Sequence, residues 1–133
     1  MCSPSSYGGR ESSSVAERVQ GIGGVFFRAR DPDALRAWYA RHLGIDMEQY
    51  GTTFVAKDGD RTVWAPFAAD TTYFGSPEQP LMINFRVRDL DAMLAQLRAA
   101  GVVADEQVHE MEYGRFGWAV DGEGNRFELW EPA

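Results

Sequence analysis

FRARDPDA, residues 27–34, returns almost unchanged as FRVRDLDA, residues 85–92. In each copy an aromatic-bearing apolar run gives way to an aspartate and then to a helix-start pattern. Asp31-Pro32-Asp33 supplies a capping acid, a proline suited to the first helical turn, and a second acid at the positive end of the helix dipole. Leu35, Trp38, Tyr39 and His42 then fall at i, i+3, i+4 and i+7, which predicts one apolar stripe ending at Gly44. In the second copy Asp89 caps, Leu90, Met93, Leu94 and Leu97 form the stripe, and Gly101 stops it.

Working outward, VQGIGGVFFRA (19–29) and LMINFRV (81–87) read as the strands that lead into these helices. IDMEQY (45–50), TTFVAK (52–57) and RTVWAPFA (61–68) follow the first helix; VADEQVHEM (103–111), RFGWAV (115–120) and RFELWEP (126–132) follow the second. Turn residues separate them at Gly51, Asp58-Gly59-Asp60 and DGEGN (121–125). Each half therefore reads βαβββ, and one half alone would leave an apolar sheet face open, so two must pair. The expected fold is α+β: two paired βαβββ modules forming a curved mixed sheet around a cavity, with the helices outside. Module one spans 19–74 and module two 80–133 of a single domain, 19–133, with Gly75, Pro77 and Pro80 in the connector. Residues 1–18, rich in Ser and Gly and without a period, are predicted to be a disordered tail.

A chain of 133 residues, 44% hydrophobic and 13% aromatic, has material for a core without disulfides. Cys2 is the single cysteine, which leaves no disulfide framework and no cysteine-based zinc site. A net charge of −7, with the arginines spread along the chain, argues against nucleic acid as a partner. The acid surplus serves solubility or attracts cationic ligands. No apolar run reaches membrane-spanning length, and MCSPSSYGGRESSS lacks the pattern of a secretory signal, so the expected location is the cytoplasm, with no membrane partner.

The duplicated module, the junction from Asp31 to Gly44, the second junction from Val87 to Gly101, and the terminal D-x-E-G-N-x-x-E-L-W-E-P (Asp121 to Pro132) resemble the vicinal oxygen chelate superfamily, over residues 19–133. That superfamily includes glyoxalase I, extradiol dioxygenases, fosfomycin-resistance enzymes and bleomycin-resistance proteins. The resemblance implies a divalent metal held by histidines on the first strand of each module and by glutamates, which chelates two substrate oxygens. In this sequence the first-strand slot holds Gly24 and the corresponding slot of the second module holds Met82, a soft thioether. Glu128 keeps its place on the last strand, but the fourth strand, TVWAPFA, has no carboxylate. One ligand is too few for a catalytic ion, so no cofactor is expected; a divalent metal is the alternative.

Side chains alternate along strands. With Gly24 toward the cavity, Phe26 and Arg28 follow it, together with Met82, Asn84 and Arg86, and with Arg126, Glu128 and Trp130. Val25, Phe27, Phe85, Val87, Phe127 and Leu129 then pack under the helices. Glu128 is a candidate general base or hydrogen-bond acceptor, or else an ion-pair partner of Arg28, Arg86 or Arg126. Arg28 and Arg86 would clamp a carboxylate or phosphate, or point to water. Trp64, Trp118 and Trp130, with Tyr50 and Tyr113, form an aromatic wall or core packing. His109 is either a base near the cavity mouth or an exposed strand residue; His42 belongs to helix packing or the surface.

Two functions compete. The first is a homodimeric, metal-free protein of the bleomycin-resistance type that binds a small, flat, partly apolar molecule through Phe26, Arg28, Trp64, Met82, Asn84, Arg86, Trp118 and Trp130. The second is a lyase or isomerase of the glyoxalase superfamily that uses Glu128 as base or as residual metal ligand.

Overall fold

Two aspartates set where the chain turns from strand to helix. In the computed structural model, which describes residues 16–48 and 51–133, the Asp31 carboxylate accepts from Ala34 N at 3.1 Å and that of Asp89 from Ala92 N at 3.0 Å. The chain order is β1 (Gly21–Ala29), α1 (Pro32–Leu43), β2 (Thr52–Val55), β3 (Arg61–Ala68), β4 (Leu81–Arg86), α2 (Leu90–Ala99), β5 (His109–Met111), β6 (Gly114–Val120) and β7 (Arg126–Pro132). Gly44 closes α1 in the left-handed conformation, φ 69°, which costs glycine nothing. Helix α2 ends one residue earlier than expected, at the cap Ala100, and Gly101 turns the chain with φ 85°.

The strands form one sheet in the order β2-β3-β1-β4-β7-β6-β5. β1 and β4, the first strand of each module, lie antiparallel at its centre, and each has the last strand of its own module, β3 or β7, parallel on its outer side. The two halves thus repeat about the β1–β4 seam, and the sheet curls into a half-barrel with the two helices on its convex side. The modules pair within one chain.

The alternation puts apolar residues on both faces. On the convex side Val87, Leu90, Met93, Leu94 and Leu129 form a buried cluster flanked by Phe85 and Phe127. Burial of each such leucine stabilises by about 1.5–3 kcal/mol. On the concave side Phe26, Ala65, Phe74, Met82 and Trp118 pack together.

Four expectations are corrected. IDMEQY is not a strand among the described residues: Glu48 and Gly51 exchange both backbone hydrogen bonds, which closes a turn, while Gln49 and Tyr50 lie outside the described residues. Of 103–111 only His109–Met111 pairs as a strand; upstream, the backbone meets β6 through a bridge at Ala104 and the bonds of Val103 and Asp105. Helix α1 buries no residue fully, because it rests mainly on β3; Trp38 is 47% exposed, meets Tyr39 edge-on and lies tilted against His42. Residues 1–15 of the expected tail lie outside the described residues, but its end is packed: Glu17 is buried against α2, its backbone N–H donating to Gln96 Oε1 at 3.0 Å and its carboxylate paired with Arg88. No helix among the described residues is long and apolar enough to cross a membrane.

Candidate functional site

Three neighbouring strands bring Asn84, Glu128 and Trp118 level with one another: Asn84 is opposite Glu128 across β4–β7, and Trp118 is opposite Glu128 across β6–β7. All three face the concave side, and Glu128 is only 1% exposed. Asn84 Nδ2 donates to Glu128 Oε1 at 2.6 Å and Trp118 Nε1 to Oε2 at 2.9 Å. A third donor, the hydroxyl of Tyr73, comes from the connector and also reaches Oε2. Burial raises the carboxyl's pKa, and the hydrogen bonds from Tyr73, Asn84 and Trp118 pull partly against it. The Tyr73 hydroxyl is likewise held protonated, by burial first and by the charge of Glu128 second.

Among the described residues no arginine is hydrogen-bonded to Glu128, so of the alternatives for this carboxyl the ion pair with Arg28, Arg86 or Arg126 is not the one formed. Arg28 spends its guanidinium on four backbone carbonyls of the connector, those of Ala69, Thr71, Ser76 and Gln79. Arg86 binds the carbonyls of Ile22 and Arg61 and reaches Asp60 at 3.4 Å. Arg126 pairs with Asp105 and lies 5.4 Å over the ring of Trp118. The clamp for a ligand anion expected of Arg28 is therefore replaced by a tether for the chain's own loop.

The expected open cavity is half filled. Phe74 is fully buried against the concave cluster, and Tyr73 stacks on Phe67. Among the described residues a cleft of about 460 Å³ stays open at the other end of the face, lined in part by Asp60, Arg61, Arg86, Glu112, Tyr113 and Trp130. The Asn84–Glu128–Trp118 row separates the filled half from this cleft. Of the expected lining, Arg86 and Trp130 border the cleft, Phe26, Met82 and Trp118 are core of the filled half, and Asn84 holds Glu128. Trp64 is elsewhere: it packs on the convex side against Phe27 and Tyr39, 4.8 Å and 6.0 Å between ring centroids. His109 is exposed, yet its ring meets Trp118 edge-on at 4.8 Å, one side chain removed from Glu128.

Tyr73 and Phe74 were not among the expected site residues. Their signal is present in TTYFGSP (71–77), where two adjacent aromatics interrupt an otherwise polar, Gly- and Pro-bearing connector. Asn84 carries a second feature that sequence does not show: its Oδ1 is buried with no hydrogen-bond partner, against the bulge of β1 at Gly23. A Cβ at Gly23 would lie 2.3 Å from that oxygen and 2.7 Å from Trp130, so only glycine lets β1 lie so close.

The residues present do not fit a divalent ion. A Cβ at Gly24 would already meet the Phe26 ring at 3.0 Å, Met82 is sealed in the apolar cluster, and both oxygens of Glu128 face hydrogen-bond donors. No group of three or more His, Cys, Asp or Glu side chains able to hold an ion occurs among the described residues.

A curled mixed sheet built from two modules that meet at their first strands, with its polar row on the concave face, defines a protein of the vicinal oxygen chelate fold. Within that class the chain belongs to the glyoxalase-like domain family, whose model matches residues 24–130. Among solved structures it is similar to methylmalonyl-CoA epimerase of Streptomyces coelicolor, with 18% identity and a TM-score of 0.69, covering 87% of this chain and 99% of that one. The epimerase of Mycobacterium tuberculosis gives 22% identity and a TM-score of 0.63 over 90% of this chain and 92% of that one. A Legionella pneumophila chain described as an NAD-dependent benzaldehyde dehydrogenase gives 18% and 0.56, over 83% and 98%. At such identities the likeness is one of fold. No curated protein matches the chain.

Proposed function

We propose that this protein binds a small, flat, partly apolar molecule on the concave face without a metal, and that Glu128 is the acceptor for the ligand's donor or cationic group. The observation that carries this reading is the company Glu128 keeps. It is buried among aromatic rings and held by three uncharged donors, with no cation bonded to it among the described residues. Of these donors the Tyr73 hydroxyl comes from a partly exposed connector residue and can give way to a ligand's donor, whereas an arginine locked to the carboxyl would not. Titration of tryptophan fluorescence with flat cationic, neutral and anionic compounds tests the reading. Cations and neutral donors should bind; a preference for anions would transfer the site to Arg86 and its cleft.

The working unit in this reading is a homodimer. Trp38, Leu43, Phe54 and Val55 on α1 and the edge strand β2 are between 46% and 63% exposed, more apolar surface than a lone chain gains from. Light scattering should give twice the mass of one chain at micromolar concentration, and a monomer mass would contradict the dimer.

A second reading draws on the raised pKa of Glu128, which suits a general base acting on an acidic C–H. It fits a lyase or isomerase, and the structural neighbours named as epimerases are consistent with it. Turnover separates the two: a binding protein returns its ligand unchanged and without deuterium uptake from heavy water.

A further inference from the structure

Tyr73 sits at the site as a guest would. Its hydroxyl donates to Glu128, its ring lies at 14° to that of Phe67 with centroids 5.4 Å apart, and Trp118 meets it edge-on at 87° and 6.0 Å. An acceptor for the hydroxyl, a face to stack on and an edge to pack against are the contacts by which a protein recognises a buried phenol. Yet Tyr73 belongs to no strand. It stands on the connector between β3 and β4 and is 36% exposed, while its neighbour Phe74 is fully buried.

Arg28 fastens that connector on both sides of Tyr73. It holds the carbonyls of Ala69 and Thr71 before it, at 2.6 Å and 3.0 Å, and those of Ser76 and Gln79 after it, at 3.0 Å and 2.9 Å. Its guanidinium also lies 4.9 Å over the ring of Phe74. The loop backbone is thus anchored at both ends and by Phe74, and the Tyr73 side chain can turn out to water about its own dihedrals without moving that anchor.

We propose that the slot filled by Tyr73 is the ligand site, and that its ligand class is a small phenol whose ring and hydroxyl replace those of Tyr73 at Phe67, Trp118 and Glu128. The inference rests on Glu128 being the ligand acceptor and narrows that reading to one chemistry. The exchange swaps like for like: one ring and one hydroxyl leave the slot, another ring and hydroxyl enter, and Tyr73 is rehydrated. A phenol ether would leave Glu128 without its donor, and an aromatic carboxylate would set a second acid against the first.

The test uses the full chain with ¹⁵N-labelled tryptophan, followed by NMR at the Trp118 indole N–H, which itself donates to Glu128. Phenol, anisole and benzylammonium are the probes. Phenol should move the Trp118 resonance and bind at least tenfold more tightly than anisole, about the worth of one hydrogen bond to a buried acceptor. Tyr73→Phe removes the competing hydroxyl and keeps the ring, so phenol affinity should rise by about tenfold. Equal binding of phenol and anisole, or no gain in Tyr73→Phe, overturns the inference. A shift with benzylammonium but none with phenol leaves Glu128 as the acceptor and removes only the phenol class. No shift with any of the three removes both.

Discussion

The ring of Phe26 folds back along its own strand over Gly24, so that a Cβ at position 24 would sit 3.0 Å from Cε1 and 3.1 Å from Cζ. A first-strand position that would hold a histidine in a metal-binding relative is here occupied by the chain's own aromatic side chain. Gly24→His in the otherwise unchanged protein should therefore destabilise by about 1–3 kcal/mol through overpacking, read as a lower urea midpoint. The double variant Gly24→His with Met82→His inherits this clash. Adding Phe26→Ala makes room, and calorimetric titration with Ni²⁺ or Zn²⁺ should show affinity in the triple variant only. Stoichiometric metal in the unchanged protein, purified without chelators, would contradict the account.

Glu128 makes stability depend on pH in an unusual direction. Its folded pKa is raised above the ordinary 4.5 because burial outweighs its hydrogen bonds. The contribution to stability is then full below 4.5 and is lost as pH rises through the elevated folded value. Glu128→Gln has no such titration, and its oxygen still accepts from Tyr73 and Trp118, while its amide can donate to Asn84 Oδ1 once the Asn84 amide rotates. Melting temperatures of both proteins from pH 4 to 9 should show the wild type losing ground to the variant as pH rises. A wild type that gains ground instead would mean the ionised form is the better accommodated one.

Arg28 should matter for the loop more than for any ligand. Arg28→Lys cannot reproduce four bonds to carbonyls with a single ammonium, so it should cost about 2 kcal/mol in stability. Limited proteolysis should show cleavage within residues 69–80 in the variant and none there in the wild type. An uncut connector in Arg28→Lys would show that Phe74 alone holds it.

Much of this was legible in the sequence, for reasons that mark where legibility ends. The repeated F-R-x-R-D fixes two strand-to-helix junctions, and their aspartates cap as the residue type demands. Alternation along β4 and β7 places Asn84, Glu128 and Trp130 on one face, because parity within a strand is set by the backbone. Parity between strands is not. Gly24 lies level with Val63 in the β1–β3 pairing, so odd-numbered residues of β3 share the face of even-numbered residues of β1, and Trp64 goes to the convex side. Arg28 finds its partners in loop carbonyls, which every sequence possesses and none displays. Tyr73 reaches Glu128 from a connector whose path only the assembled sheet determines.

The central claim is that Glu128 accepts a ligand directly, with no metal between them. The affinity of benzylammonium for wild type and for Glu128→Gln, measured by tryptophan fluorescence with and without excess EDTA, tests it most directly. The account predicts that EDTA leaves wild-type affinity unchanged and that Glu128→Gln lowers it at least tenfold, as loss of a charge-assisted bond of about 1.5–3 kcal/mol requires. Equal affinity in the two proteins, or loss of wild-type binding on adding EDTA, would contradict it.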